Sequence, residues 1–189
     1  FGACPRPVLA AQTRWRERLE REPIVFLVHE LEELLTEAKT ALARFVGAPA
    51  DDVVFVPNAT AGVNTVLRSL SFEPGDELLT TNHEYNACRN ALEFVAARWD
   101  ARIVVARVPF PIESPEAALG AVIEQVTDRT RLGLFDHVTS LTGMVMPIER
   151  IVAALADRGI DTLVDGAHAP GMLPLDIDAI GPAYYTGNC

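Results

Sequence analysis

The sequence has few of the features that mark disulfide-bonded, zinc-binding and membrane proteins. Its three cysteines, Cys4, Cys88 and Cys189, are far apart, and no CxxC pair occurs among the 189 residues. This odd, scattered set argues against a disulfide framework and against a metal site, and it predicts reduced thiols in a cytoplasmic protein. No apolar run approaches the ~20 residues of a transmembrane helix. Residues 1–20 also lack the apolar centre of a signal peptide.

Basic residues are also in short supply. Lys and Arg number 16 against 26 Asp and Glu, which gives a net charge of −10. Nucleic acids and anionic membranes bind to basic surfaces, so neither is expected as a partner. Hydrophobic residues make up 49% of the chain and charged residues 22%. That balance is typical of a folded globular domain and excludes a disordered chain.

The apolar residues alternate between helical and strand-like spacing along the chain. Two amphipathic helices are predicted at the start, over residues 7–22 and 30–46, with Gly47 ending the second. Further helices are predicted over residues 60–70, 83–98, 115–126 and 147–158. Strands are predicted over residues 51–56, 77–81, 102–106, 131–135 and 162–165, with another beginning at 183. This order predicts an α/β fold with three αβα layers around a mostly parallel sheet.

In such a sheet, ligands bind beyond the C-terminal ends of the strands. After the first apolar run, small residues lead directly into a helix that begins near Thr60. Bare N–H groups at a helix start favour an anion such as phosphate. A simple helix cap by Asn58 or Thr60 explains the same residues.

Polar and aromatic side chains also follow the strands predicted over residues 77–81 and 131–135. His83 and Tyr85 come after residues 77–81, where they can stack on a flat ligand, move protons or simply fill a loop. His137, Thr139 and Ser140 come after residues 131–135, and they fit either a binding site or an ordinary Ser/Thr turn.

Asp165 closes the apolar strand predicted over residues 162–165. A buried carboxylate is costly without a cationic partner, so this position points to a ligand, with helix capping as the alternative. Each of these four signals is weak alone. Their recurrence at successive strand ends of one sheet predicts a binding site at that edge.

Four stretches resemble the class V aminotransferases, which are fold-type I enzymes that use pyridoxal 5'-phosphate (PLP). They are Asn58-Ala59-Thr60-Ala61-Gly62, Asn82-His83-Glu84-Tyr85, His137-Val138-Thr139-Ser140 and Val164-Asp165-Gly166-Ala167-His168. Within the class, the chain is most similar to the isopenicillin N epimerase group. That similarity includes residues 1–5, 21–23 and 184–189. The resemblance implies an N-terminal helical segment, residues 1–50, and part of a PLP-binding large domain, residues 51–189.

The resemblance assigns roles to individual residues. Ala59, Thr60 and Ala61 match the helix start that holds the cofactor phosphate. His83 matches the residue that stacks on the pyridine ring. Asp165 matches the carboxylate that pairs with the pyridine nitrogen, where an anion favours the protonated, electron-withdrawing ring.

Two further positions match the cofactor site, and two others carry a residue that differs from that of the relatives. His168 and Thr139 match positions near the phenolic oxygen of the ring. Ser140 stands where the desulfurase relatives have Asn, and Asn188 stands where relatives have a phosphate-binding Ser. The family's Schiff-base lysine follows the Tyr-Thr-Gly-Asn-Cys stretch, so we expect it beyond Cys189. Lys39, the one lysine in the sequence, lies in an amphipathic helix and is not a candidate.

The resemblance implies a PLP-dependent enzyme that acts at the α-carbon of an amino acid, most like an epimerase and usually a homodimer. A second acid/base group is needed for epimerisation, and Tyr85 and His137 are the candidates. A cysteine desulfurase or C–S lyase on the same fold is the first alternative. An inactive PLP-fold fragment or interaction module is the second.

Overall fold

The computed structural model describes residues 3–189. Phe1 and Gly2, which contribute to the resemblance, lie outside the described residues. Within residues 3–189, no helix combines the length and the apolarity needed to cross a lipid bilayer.

The chain begins with a helical segment. Helix α1 (Arg6–Arg21) is followed by the short α2 (Pro23–Val25), a π-helical turn (Phe26–Glu30) and α3 (Leu31–Val46). Gly47 ends α3 in the left-handed region, at φ 66°. A Cβ atom at this position would meet backbone of the chain following β4 at 2.6 Å. The predicted helix end at Gly47 is therefore confirmed, and only glycine satisfies both constraints.

Five parallel strands form one sheet. They are β1 (Glu77–Thr81), β2 (Arg102–Ala106), β3 (Thr130–Asp136), β4 (Asp161–Gly166) and β5 (Tyr184–Gly187). Their order across the sheet is β2-β1-β3-β4-β5, and every pairing is parallel. Each crossover passes through helix or loop, as parallel pairing requires.

Helices cover both faces of the sheet, which confirms the three-layer αβα prediction. Helices α4 (Ala59–Ser69) and α5 (Asn86–Trp99) pack on one face, around Val63, Leu67 and Leu92. Helices α6 (Pro115–Ile123), α7 (Ile148–Ala156) and α8 (Ile177–Ile180) lie on the other, where the core includes Val122, Ile151 and Ile180.

Strand alternation determines which face each site residue occupies. In β3, Leu134 packs in the α4–α5 core and Phe135 packs in the opposite core. Asp136 therefore lies on the α4–α5 face, and His137 lies on the other. In β4, Leu163 belongs to the α4–α5 core, so Asp165 shares the face of Asp136.

The strand predicted over residues 51–56 is wrong. Residues Ala50–Asp52 form a 3₁₀ turn, and residues 53–56 join no ladder. Val54 is 77% exposed and Phe55 is 51% exposed. This apolar run lines a groove of about 580 Å³ whose opposite wall is β5. A short apolar run cannot by itself distinguish a buried strand from an extended segment that lies beside a groove.

The other predicted elements are present, β1 and β2 with the predicted ends and several others with shifted ends. The helix predicted from residue 83 begins at Asn86, because residues 82–85 form the turn that leaves β1. The predicted helices over residues 115–126 and 147–158 are shorter at their C-terminal ends. The division of the chain at residue 50 stays a prediction.

Candidate functional site

The candidate site lies where β1, β3 and β4 end and where α4 and α5 begin. Asp165, near the end of β4, is 2% exposed. Its Oδ1 accepts a hydrogen bond from the Ala167 N–H at 3.0 Å, and its Oδ2 accepts one from the Cys88 thiol at 3.0 Å. Cys88 reaches this carboxylate from the first turn of α5.

Asp165 has no cationic partner in the part of the chain that the structure describes: no Lys, Arg or His nitrogen forms an ion pair with it. A thiol is a weak hydrogen-bond donor and contributes little to stabilising a buried charge. Such a carboxylate is suited to a ligand that brings its own positive charge or an N–H donor.

The first turn of α4 presents N–H groups at the same edge. The Asn58 side chain caps the helix by accepting from the Ala61 N–H at 2.8 Å, which agrees with the capping interpretation. The Ala59 N–H donates to Asn188 Oδ1 at 2.9 Å. The Thr60 N–H has no hydrogen-bond partner among residues 3–189. An N–H group and a hydroxyl of Thr60 thus remain available at a positive helix end.

Asn188 connects the two halves of the site. Besides accepting from Ala59, its side-chain amide donates to the Ala167 carbonyl oxygen at 3.4 Å. The start of α4 is therefore tied to the segment that follows Asp165. A side chain in contact with both lies beside any ligand that spans them.

His83 is held in one orientation at the end of β1. Its Nε2 donates to the Val108 carbonyl oxygen at 2.9 Å, which requires the proton to be on Nε2 and leaves Nδ1 as an acceptor in the neutral ring. Asn82 binds the same residue, because its Oδ1 accepts from the Val108 N–H at 2.7 Å. The ring of His83 is half-buried and meets Phe110 edge to face.

The His137 backbone N–H donates to the Asp165 carbonyl oxygen at 2.8 Å, but the imidazole is not brought together with the Asp165 carboxylate. It lies on the opposite face of the sheet, where its Nδ1 is hydrogen-bonded to the Tyr185 hydroxyl at 2.8 Å. Burial lowers the pKa of His137 and burial also raises the pKa of Tyr185, so both groups are neutral near pH 7. A neutral buried pair facing α7 is suited to packing.

The loop after β3 uses its own hydroxyl groups. Thr139 is buried, and its hydroxyl pairs with the Thr142 hydroxyl at 2.6 Å and accepts from the Met144 N–H at 2.9 Å. Ser140 is exposed at the loop tip. His168 is half-buried and directly follows Ala167. Of these residues, His168 lies nearest in the chain to Asp165.

Tyr85 occupies the position before α5 and is 43% exposed. Tyr85 directly follows the buried Glu84 and lies at the same sheet edge as Asp165.

Three functional candidates in the structure were not singled out from the sequence: Glu84, Cys88 and Asp136. Glu84 and Asp136 are buried, and Asp136 pairs with Asp165 in the register of β3 and β4. Asp136 ends its apolar strand just as Asp165 ends the next one, and this parallel was the signal that could have identified it. Nothing in the spacing of Cys88 indicates its contact with Asp165.

Known proteins match the chain over nearly its full extent. The family described as aminotransferase class V matches residues 8–187. Isopenicillin N epimerase of Streptomyces clavuligerus is 37% identical over 187 residues, which are 99% of this chain and 47% of that protein. Putative L-cysteine desulfhydrase 2 of Oryza sativa subsp. japonica is 32% identical over 204 residues, covering 100% of this chain and 43% of that protein.

Solved structures show the same fold. A lysine-to-alanine variant of C-DES, with glycine covalently linked to its PLP cofactor, has a TM-score of 0.87 and 26% identity, covering 97% of this chain and 49% of that one. C-DES bound to cysteine persulfide, described as a cystine C–S lyase with its reaction product, has a TM-score of 0.85 and 25% identity over 97% of this chain and 50% of that one.

The chain spans about half the length of the curated relatives it matches. The family match extends from α1 through β5 and includes every element that contributes to the candidate site. The chain belongs to the class V aminotransferase family.

Proposed function

We propose that these residues form the cofactor-binding part of a PLP-dependent enzyme that acts at the α-carbon of an amino acid, as an isopenicillin N epimerase does. The observation that carries the proposal is Asp165, a buried carboxylate without a cationic partner among the described residues. It lies at the same sheet edge as the Thr60 N–H of α4, which also has no partner there. The sequence similarity to two isopenicillin N epimerases, each 37% identical, supports the type of reaction.

The residues present fit PLP at each end. Asp165 is suited to the ring nitrogen, because its carboxyl group is buried and has no cationic partner among the described residues, while its oxygens accept from the Ala167 N–H and the Cys88 thiol. The Thr60 N–H and hydroxyl, at the positive end of α4, are suited to the phosphate. The half-buried ring of His83 offers a flat face whose orientation Val108 fixes. When bound, PLP supplies an electron sink for negative charge at the substrate α-carbon.

The chain's own acid/base group in this proposal is Tyr85. Tyr85 is exposed at the sheet edge that carries Asp165, whereas the His137 side chain lies across the sheet with its Nδ1 bonded to Tyr185. Epimerisation removes and returns the α-proton from opposite faces of the substrate, so it needs a second group besides the lysine of the family. Tyr85→Phe is expected to slow exchange of the α-proton by about 10²–10⁴-fold, the usual loss for one acid/base group.

A C–S lyase is the second candidate. The desulfhydrase relatives and the structural similarity to C-DES favour it. Cys88 does not serve as a sulfur-accepting nucleophile, because burial and the neighbouring carboxylates raise the pKa of its thiol and keep it protonated. A lyase of this kind would release sulfide from its substrate without a cysteine of α5.

One experiment separates the candidates. The full-length protein is incubated with PLP and amino acids in heavy water, and deuterium at the α-position, sulfide and pyruvate are measured together. Deuterium uptake without sulfide or pyruvate supports the epimerase. Sulfide release from cysteine, with little deuterium in the recovered substrate, supports the lyase. A protein that takes up no PLP supports neither and leaves an inactive interaction module.

We further propose that the enzyme is a homodimer. The N-terminal helices expose large apolar residues, among them Ile24 at 70%, Val28 at 67% and Phe45 at 61%. Exposed apolar surface of this kind is typical of protein interfaces. Sedimentation of the full-length protein as a monomer at micromolar concentration would contradict the proposal.

A further inference from the structure

A group of buried acidic side chains lies close to Asp165. The ligand atoms of Glu84, Cys88 and Asp165 all lie within 4.8 Å of one another, and all three residues are buried. Asp136 stands beside Asp165 on the neighbouring strand and on the same face of the sheet. We call Glu84, Cys88, Asp136 and Asp165 the acidic cluster.

Two carboxyl oxygens of the acidic cluster have no hydrogen-bond partner among residues 3–189. They are Glu84 Oε1 and Asp136 Oδ2. Glu84 is 9% exposed and Asp136 is 4% exposed, so bulk water does not replace the missing partners. An ionised carboxylate with an unpaired buried oxygen is strongly disfavoured, whereas a protonated one can turn its O–H toward a neighbour.

The surroundings offer these acids no positive charge. Glu84 Oε2 accepts from the Thr80 hydroxyl of β1 at 3.3 Å. The charged and titratable groups that face Glu84 are Asp136 from β3 and Asp165 from β4, and the Cys88 thiol faces it from α5. No Lys or Arg joins the acidic cluster within the described chain.

Burial and mutual repulsion determine which of the three acids carries the charge. Burial and the charges of Asp136 and Asp165 raise the pKa of Glu84 well above its usual range. Burial and the charge of Asp165 raise the pKa of Asp136 to about 8. Asp165 differs from both, because each of its oxygens accepts a hydrogen bond. Near pH 7 the carboxyl protons of the acidic cluster therefore reside on Glu84 and Asp136.

We propose that Glu84 and Asp136 are positioning residues that remain protonated and leave Asp165 as the single charged carboxyl of the acidic cluster. Through their O–H groups they orient Asp165 and reduce its basicity toward the ring nitrogen of the cofactor. The role toward the cofactor rests on the proposed function, whereas the protonation state does not. Both residues act through Asp165, and neither needs to touch the substrate.

The protonation state is tested by infrared spectroscopy on the full-length, cofactor-free protein. At pH 7 we expect a carbonyl band of protonated carboxyl groups that loses intensity in Glu84→Gln and again in Asp136→Asn. Glu77→Gln is the matched control. Glu77, in β1, is also buried, but its Oε1 lies 3.8 Å from Arg102 Nη1 and its Oε2 accepts from the Thr127 hydroxyl at 2.6 Å. Unchanged band intensity in both cluster variants would overturn the proposal.

The role toward the cofactor is tested by the nitrogen-15 resonance of labelled PLP in the full-length protein. Glu84→Ala and Asp136→Ala are expected to move the ring-nitrogen signal toward the protonated form, because Asp165 becomes more basic. Glu84→Gln is expected to restore the wild-type signal, since an amide N–H can also donate to Asp165. Glu77→Gln should have no effect.

The outcomes separate this inference from the proposed function. If Asp165→Asn moves the ring-nitrogen signal and both alanine variants leave it unchanged, the positioning role is wrong and the proposed function stands. If Asp165→Asn also leaves the signal unchanged, Asp165 does not partner the ring nitrogen, and the proposed function and the positioning role both fail.

Discussion

Asp165 combines two properties that seldom coexist in a side chain with a purely structural role. It is 2% exposed, and its hydrogen bonds come from a peptide N–H and a thiol. A carboxylate that only capped a turn would gain more from solvent than from this position. The residue is therefore better explained by the positive charge of a ligand than by local structure.

The first prediction concerns the charge of Asp165. Asp165→Asn is nearly isosteric, and its amide oxygen can still accept from Ala167 or Cys88, so we expect the fold to persist. Loss of the charge should lower turnover by about 10²–10³-fold, the usual cost of removing one preorganised electrostatic partner. Steady-state kinetics of the full-length enzyme measure the effect, with circular dichroism as the control for folding. Near-normal turnover would reduce Asp165 to a turn cap.

The second prediction concerns the ring of His83. His83→Phe keeps an aromatic face but loses the hydrogen bond to Val108, a change of about 1 kcal/mol. His83→Ala loses both. We therefore expect PLP affinity to fall by less than about tenfold in the Phe variant, as 1.4 kcal/mol is tenfold, and further in the Ala variant. Equal affinities in fluorescence titrations of the two variants would show that the ring does not stack on the cofactor.

At the scale of elements, the position of α4 depends on its fourth residue, Gly62. A Cβ atom there would meet Thr186 Cγ2 of β5 at 2.9 Å. Thr186 is buried and β-branched, so its methyl group has little freedom to move aside. Because Gly62 has no side chain, the N-terminus of α4 can lie directly over the sheet edge that carries Asp165.

The third prediction compares two glycine-to-alanine changes in helices. Gly62→Ala should push α4 away from β5, lower the free energy of unfolding by about 1–3 kcal/mol and weaken PLP binding. Gly120→Ala in α6 meets no atom within 4 Å, so it should raise the free energy of unfolding by about 0.5–1 kcal/mol. Urea unfolding and PLP titration measure both. Similar effects of the two changes would show that close packing of α4 is unimportant.

The elements also show what the sequence could and could not predict. Strands β1 and β2 were predicted with their observed ends, because turn residues bound each apolar run. The run over residues 53–56 is also apolar and bounded by turn residues, yet it pairs with no strand. Whether a neighbouring strand lies within hydrogen-bonding distance is a property of the tertiary fold, and local pattern does not contain it.

The same limit applies to the site. The strand ends drew attention to Asp165, because an Asp after an apolar run is a local signal. The face of His137 follows from the register of β3 and from its neighbours in the core, and the contact of Cys88 with Asp165 joins residues of α5 and β4. Such contacts between distant parts of the chain are visible only in the folded structure.

At the scale of the whole molecule, the buried acids make stability depend on pH. The pKa of Asp136 is raised from the ordinary value of an aspartate, about 3.9, to about 8 in the fold. The folded state therefore binds more protons than the unfolded state between these values. The stability that the protonated Asp136 carboxyl contributes is fully present below about pH 4 and is lost as pH rises through about 8.

The fourth prediction follows from this decrease of stability with rising pH. For the cofactor-free protein, we expect the free energy of unfolding of wild type to fall relative to that of Asp136→Asn as pH rises from 5 to 9. Glu116→Gln is the control that should show little change over this range, since the hydrogen bond from exposed Arg150 lowers the pKa of Glu116 and keeps its titration below about pH 5. Urea unfolding at several pH values measures both. A constant difference between wild type and Asp136→Asn would contradict a raised pKa in the folded state.

The parallel sheet has a kinetic consequence for these acids. The β1–α5–β2 unit closes a short chain loop, so we expect it to form early, whereas β3 pairs with β1 across more than twice that length of chain, from Glu77 to Thr130. Glu84 is therefore solvated and ionised until β3 docks beside β1. Docking then consumes protons from solvent. Folding of the complete sheet should accordingly slow as the pH rises, while collapse of its first unit proceeds at a pH-independent rate.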